Sequence, residues 1–431
     1  MEWIDVAVLG GTFFSLLLLG VPVAYSIGAS TALAMLLSIL PGPAVTTVAQ
    51  RMATGLDSFT LLAIPFFVLA GQLMNRGGIA RRLIALAQAA IGRLPGGLAH
   101  VNILASMLFG AISGSAVAAA TAVGGTMAPV MAREGYDKDY GAAVNITSST
   151  TGLIIPPSNI LIIYSLASGG VSIASLFLAG YVPGIVVGLL LMSVAGVMAL
   201  RRGYPRAERS SFGEVLRLFV DAIPSLFLLV VVMGGIVGGV FTATEAAAIA
   251  VLYALVLAFL YREVGLADLP RILLDSATTT AVVMLLIATS LAMSWIMAYA
   301  NIPQSVTASL LALTDSPVAI LLMINLVLLV VGTFMDMTPA VLIFTPIFLP
   351  VAVDLGIDPV HFGIIMVLNL CIGLCTPPVG AVLFVGVGVA KTSITTVIRP
   401  LLPLFIAMVV ALLVVTFVPG LSLWLPRLFG Y

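Results

Sequence analysis

The chain has 431 residues, of which 61% are hydrophobic and only 8% charged, with 17 Lys plus Arg against 17 Asp plus Glu. Soluble domains run roughly 45–50% apolar and about 25% charged, so this chain lacks the polar surface to cover a soluble globule, and its zero net charge leaves no basic stripe for nucleic acid. Unbroken apolar runs such as 404–415 exclude the short alternating segments of a β-barrel and give a polytopic, all-α membrane protein with room for roughly a dozen crossing or re-entrant segments.

In chain order, the N-terminus carries Glu2 and Asp5 without Lys or Arg, the wrong charge for a cleavable signal. Arg81, Arg82 and Gln88 alternate with Leu83, Ile84, Leu86 and Ile91, which predicts an amphipathic helix over Ile79–Ile91, lying on the membrane surface or packed on protein. From about 101 to 131 an apolar stretch turns at Gly110, Ser113, Gly114 and Ser115, and Ser115 is placed to cap the helix that follows. A break follows at 150–157, Thr-Thr-Gly-Leu-Ile-Ile-Pro-Pro. The polar stretch 201–217 holds Arg201, Arg202, Arg206, Arg209 and Arg217 and lies midway along the chain. Thr242 and Glu245 precede an alanine run as a capping box. A second amphipathic stretch runs over 301–313. From about 318 to 353 a second apolar stretch turns at 332–339, where Thr338 before Pro339 reads as a helix cap, and a second break follows at 371–378, Cys-Ile-Gly-Leu-Cys-Thr-Pro-Pro. Cys371 and Cys375 lie far in sequence from His100 and His361, so they read as small packing residues and not as metal ligands.

Cytoplasmic loops are enriched in Lys and Arg. The group Arg76, Arg81, Arg82 and Arg93, then Arg133 with Lys138, 201–217, Arg262 with Arg271, and Lys391 with Arg399 therefore lie inside, and the polar breaks between them, which hold no such basic clusters, lie outside. Each turning stretch then begins and ends on one face, which makes it a re-entrant hairpin. A shift of 221 positions lays 119–157 on 340–378 without a gap, matching Gly135, Asp137, Gly152, Pro129, Pro156 and Pro157 to Gly356, Asp358, Gly373, Pro350, Pro377 and Pro378. Since Gly135 falls inside and Gly356 outside, the repeat is inverted. The expected organisation is a first repeat over 1–200, a cytoplasmic linker over 201–221 and a second repeat over 222–431.

Gly and tandem Pro within apolar stretches break the helical hydrogen-bond ladder, and irregular backbone at membrane depth survives only against protein or a watery cavity. The alternative for each break is a kink used for packing alone. Freed carbonyls suit a small cation and half-helix N-termini suit an anion. Asp336 is the one acid expected at membrane depth, with Ser115 as its counterpart in the repeat, and it reads as a functional charge or as a helix cap. Ser149, Thr150 and Thr151, with Pro156 and Pro377, are the candidate substrate positions, although hydroxyls in such a run also bond the preceding turn. No Walker, His-Glu-x-x-His or Gly-x-Ser-x-Gly motif is present, so neither a nucleotide-driven pump nor an enzyme is indicated.

At Leu-Ala-Ile-Pro-Phe-Phe over 62–67, Ser113-Gly-Ser115, Gly-Val-Phe-Thr-Ala-Thr-Glu-Ala-Ala over 239–247 and the two Pro-Pro breaks, the chain resembles the large, DctM-like membrane subunit of tripartite ATP-independent periplasmic (TRAP) transporters along essentially its whole length. It departs from the family pattern in carrying Thr-Ala-Thr-Glu at 242–245 where Thr-Pro-Thr-Glu is usual. The resemblance implies a bacterial or archaeal inner-membrane importer of an organic acid, such as a C4-dicarboxylate, a sialic acid or a similar carboxylate. It implies sodium as the co-transported ion, an elevator mechanism, a small four-helix DctQ-like partner and a periplasmic DctP-like binding protein. On that footing two cation sites are expected. One lies at Ser113, Gly114, Ser115 and Gly152, and the other at Thr333, Asp336, Thr338, Gly373 and Thr376, since sodium prefers hard oxygen ligands. The alternative is a stand-alone organic-anion transporter needing no binding protein.

Overall fold

The computed structural model describes residues 2–205, 211–314, 316–377 and 379–431; Arg206, Arg209 and Pro378 lie outside the described residues. Helices, several of them joined through short 3-10 turns, account for the regular structure, and among the described residues eight helical segments are long and apolar enough to cross a membrane. The first half runs α1 (Glu2–Leu18), α2 (Val23–Ser38), α3 (Pro41–Leu56), α4 (Ala63–Arg76), α5 (Ile79–Ile91), α6 (Gly97–Ser113), α7 (Ala116–Arg133), α8 (Lys138–Ser149), α9 (Asn159–Ala167) and α10 (Ile173–Arg202). The second runs α11 (Phe212–Val237), α12 (Ala243–Leu260), α13 (Leu269–Tyr299), α14 (Ile302–Leu313), α15 (Pro317–Phe334), α16 (Met337–Asp354), α17 (Pro359–Gly373), α18 (Ala381–Ala390), α19 (Ile394–Phe417) and α20 (Gly420–Leu428).

The local chemistry that starts and stops these helices recurs at the same interval of 221. Asp137 and Asp358 cap α8 and α17 by accepting from the amide two residues on, and Ser172 and Ser393 cap α10 and α19 by accepting from the third. Gly135 and Gly356 follow α7 and α16 at φ +80° and +79°, a left-handed conformation open to glycine at no steric cost. Packing recurs as well. The broken helix α8 lies against α19 and its counterpart α17 against α10; α7 packs on α18 and α16 on α9. The Cys371 thiol meets the Thr150 carbonyl at 3.4 Å, and these two residues are 221 apart. Two equivalent positions that touch must lie beside the axis relating the halves, so the pseudo-twofold passes between the two broken helices.

Both amphipathic stretches form helices. In α5 Leu83, Ile84 and Ala87 are buried against α6 and α11, and the Arg82 guanidinium lies 3.5 Å from the Tyr261 ring, so this helix is packed on protein. The predicted capping box forms, with Glu245 N–H donating to Thr242 Oγ1 at 3.3 Å and Thr242 N–H to Glu245 Oε2 at 2.8 Å. The polar middle of the chain is more helical than its composition implies, since α10 extends through Arg202 and α11 starts at Phe212. The start of α16 also differs from expectation. Asp336, not Thr338, stands at the cap position, and Pro339 falls in the first turn, where a missing N–H costs nothing.

Candidate functional site at the two hairpin tips

Each hairpin turns within two residues, α6 into α7 at Gly114 and Ser115, α15 into α16 at Met335 and Asp336. Gly114 allows the first reversal because it sits at φ +63°, and Ser115 Oγ then accepts from Ala118 N–H at 3.2 Å as predicted. The second tip uses extended backbone at Met335 and Asp336, and the Asp336 carboxylate makes no hydrogen bond to the second or third amide of α16. Its side chain is exposed, although it lies at the turn of a hairpin between packed helices.

Behind each tip the hairpin crosses its broken helix glycine to glycine. A Cβ added to Gly152 would stand 2.4 Å from Gly110 Cα, and one added to Gly373 would stand 2.5 Å from Gly332 Cα. No side chain fits at either crossing, which is why these apolar segments keep glycine at the break. At the second crossing Gly380 N–H donates to the Thr333 carbonyl at 3.1 Å, while the carbonyl oxygens of Leu374 and Thr376 lie 2.8 and 2.9 Å from the point a Gly380 Cβ would occupy. Peptide oxygens thus converge beside the second tip.

A cavity of about 380 Å³ joins the two tips. Of the predicted residues, Ser113, Gly114, Ser115, Asp336 and Thr338 line it. Gly152 and Gly373 stand behind the tips at the glycine crossings, and the Thr333 and Thr376 hydroxyls donate to the Val330 and Ile372 carbonyls at 2.6 and 2.7 Å. Ser149, Thr150 and Thr151 are fully buried, and their hydroxyls bond the Asn145, Thr147 and Ser148 carbonyls. These three, with Pro156 and Pro377, are not in the cavity wall.

Sequence reasoning missed Gln72 and Asn75 of α4, Asn159 of α9 and Thr279 of α13, all of which line the cavity. The available signal was Gln72 and Asn75 three apart on an apolar helix, one face of a 3.6-residue period. The cavity also receives four helix starts, Ala116 of α7, Asn159 of α9, Met337 of α16 and Ala381 of α18. Each helix N-terminus presents unpaired N–H groups and the positive end of a dipole. No Lys or Arg is among the described lining residues.

Residues 11–421 match the family described as Tripartite ATP-independent periplasmic transporter, DctM component. The chain is 57% identical over 425 residues to the Salmonella typhimurium protein named YgiK, covering 99% of this chain and 98% of that one. It is 43% identical over 406 residues to the C4-dicarboxylate TRAP transporter large permease protein DctM of Pseudomonas aeruginosa, covering 94% of each. In three dimensions it is similar to the YdaH transporter of Alcanivorax borkumensis, with a TM-score of 0.67 at 15% identity over 87% of this chain and 88% of that one, a likeness of fold. Hairpin tips meeting over a cavity at the repeat interface, and a family match over nearly the whole length, have one reading: the chain belongs to the large permease subunits of TRAP transporters, multi-pass proteins of the bacterial inner membrane that transport and are not enzymes.

Proposed function

We propose that this chain is the permease of a sodium-driven, binding-protein-dependent importer of an organic acid. The observation that carries the reading is the convergence of four helix N-termini on one cavity without a basic side chain among the described lining residues. Such a site attracts an anion through backbone N–H groups and dipoles. It also contains a carboxylate, Asp336, which would repel the anion unless a cation lay between them. Two cation sites resolve that conflict, one at Ser113, Gly114, Ser115 and Gly152, the other at Thr333, Asp336, Thr338, Gly373 and Thr376, where peptide oxygens gather beside Gly380. Relatives named for C4-dicarboxylate, 2,3-diketo-L-gulonate and sialic acid support an organic acid as substrate.

The partners are a small DctQ-like subunit and a periplasmic DctP-like protein. The relative named isethionate TRAP transporter permease protein DctMQ supports the first, since this chain spans 67% of its length. Hairpins and broken helices, within repeats 1–200 and 222–431 joined by 201–221, move as one body against the remaining helices. Asn75, exposed beside Arg76 at the basic end of α4, makes the present cavity inward-facing.

The test is uptake into proteoliposomes holding this chain and the small subunit encoded with it, with the binding protein added outside. Uptake that needs both an inward sodium gradient and the binding protein is expected. Uptake indifferent to sodium would overturn the coupling, and uptake without the binding protein would favour the stand-alone transporter.

A further inference from the structure

A second cleft lies on the basic, inside face, away from the hairpin tips. It has a volume of about 210 Å³ and lies among α7, the start of α8 and the end of α18, with Lys138 and Lys391 at its rim. Asp137, also on the rim, is paired with Arg202 at 3.1 Å. Through Ala128, Gly141, Val389 and Ala390 the cleft shares a wall with a far smaller cavity of about 10 Å³, the size that admits about one water. Asn102 and Asn145 line that inner chamber. Asn145 is 3% exposed; its Nδ2 donates to the Ala120 carbonyl at 2.9 Å, and its Oδ1 has no partner. A buried amide oxygen left unpaired costs about 1–3 kcal/mol, so a donor or a cation belongs there.

From this chamber a polar seam runs toward the first hairpin crossing. On α6 the residues Asn102, Ser106 and Gly110 follow one another at successive turns. Asn145 and Ser148 of α8, and Gly152 just beyond it, face them. Asn102 and Asn145 share the chamber; Ser148 Oγ donates to Ser106 Oγ at 3.1 Å, and Ser106 Oγ to Asn102 Oδ1 at 3.3 Å; Gly110 abuts Gly152. Asn102, Ser106 and Ser148 are each 0–1% exposed. Polar side chains thus run along the otherwise apolar contact of α6 and α8 from the chamber to Ser106 and Ser148, one turn short of the glycine crossing behind the first tip.

We propose that this chamber and seam are the inward release route of the cation at the first tip, with Asn145 Oδ1 as its last protein ligand before water. The inference rests on the sodium-coupled reading. The lysines fit release better than storage, because like charge disfavours a cation lingering in the wide part of the cleft.

Two measurements on the assembled transporter in proteoliposomes test it. An Ala390→Cys variant, labelled with a membrane-impermeant thiol reagent, is expected to react from the side carrying Arg201 and Arg202 and not from the other. Wild type, whose Cys371 and Cys375 are buried, serves as the control. Asn145→Ala and Asn145→Leu both lose the bond to Ala120, but only Leu fills the chamber. With a release route, Leu slows turnover about tenfold relative to Ala, while half-saturation by external sodium stays within about twofold. With a merely structural asparagine, Ala is no better than Leu, which would overturn the proposal, as would an Ala390→Cys variant that fails to react. Failure of the coupling itself shows separately, as sodium-independent uptake by wild type.

Discussion

The two hairpins share a backbone and differ in chemistry. Both cross their broken helix glycine on glycine and both turn within two residues. Yet the first tip is a neutral Ser-Gly-Ser whose Ser115 is bonded to its own helix, while the second holds Asp336 at the equivalent position with no bond to the second or third amide of α16. The contrast extends to the helices against which they rest. On the inner end of α4, Gln72 and Asn75 line the cavity. At the outer end of α13, Met293, Ile296 and Met297 are buried in a separate apolar cluster with Met335 and Ile343 of the second hairpin. Inverted repeats supply two equivalent frames, and the side chains make one rest polar and the other apolar.

If the frame is shared, the same lesion should break either half. Gly152→Ala and Gly373→Ala each place a Cβ under 3 Å from opposing backbone, which cannot give way as a flexible side chain would. Each is expected to abolish uptake and to lower the midpoint of thermal unfolding by several degrees, measured on purified protein. A normal variant on one side alone would show that the two crossings are not equivalent.

If the tips differ in charge role, substitution should separate them. Asp336→Asn keeps shape and an oxygen but removes a charge whose attraction for a cation 4 Å away is on the order of 4 kcal/mol at an effective dielectric near 20, before desolvation. Sodium-driven uptake is expected to fall by about 100-fold with assembly intact. Ser115→Ala, which removes a cap worth about 1 kcal/mol and one neutral oxygen, is expected to cost roughly tenfold or less. Equal losses, read as initial rates against sodium concentration, would erase the distinction.

The repeat was legible because Gly, Pro and Asp punctuate backbone, and Gly135, Asp137 and Gly152 carry the same duties as Gly356, Asp358 and Gly373. The hairpins were legible because a stretch with both ends on one face cannot be a single span. The cavity wall was legible only in part. Ser113, Ser115 and Asp336 announce themselves at the tips, but Gln72, Asn75 and Thr279 come from helices distant in sequence, and their convergence is tertiary. Ser149, Thr150 and Thr151 stand outside the cavity wall with their hydroxyls engaged for a local reason: a hydroxyl one turn above a free carbonyl bonds it, and a run of hydroxyls in a helix is often satisfied before any ligand arrives.

The polar and apolar rests can be exchanged. Ile296→Asn puts an amide into the outer seal, where an unsatisfied buried polar group costs about 1–3 kcal/mol, a shift of roughly 5- to 150-fold in the balance between sealed and open outer faces. Cysteines introduced on the outer face should then label faster in this background. Asn75→Leu is expected to act in the same sense and more weakly, because Asn75 is exposed and its substitution mainly favours closure of the inner mouth. Unchanged labelling in the Ile296 variant would remove the seal from the account.

The smallest expected effect lies where the halves differ without consequence for the site. Helix α12 begins with the full capping box of Thr242 and Glu245, whereas its counterpart α2 begins at Pro22 with no side-chain cap. The box satisfies N–H groups that water or headgroups reach in any case, so its contribution is local. Thr242→Ala should cost about 1 kcal/mol of stability, a fall of roughly 2 °C or less in the unfolding midpoint of a chain this long. Sodium affinity and uptake rate should stay within about twofold of wild type, since Thr244 close by still donates to the Phe59 carbonyl at 3.0 Å and holds α12 against the start of α4. A loss of uptake out of proportion to the loss of stability would mean that the α12 start takes part in the motion and is not only its fixed support, and the boundary between moving and static helices would have to be redrawn.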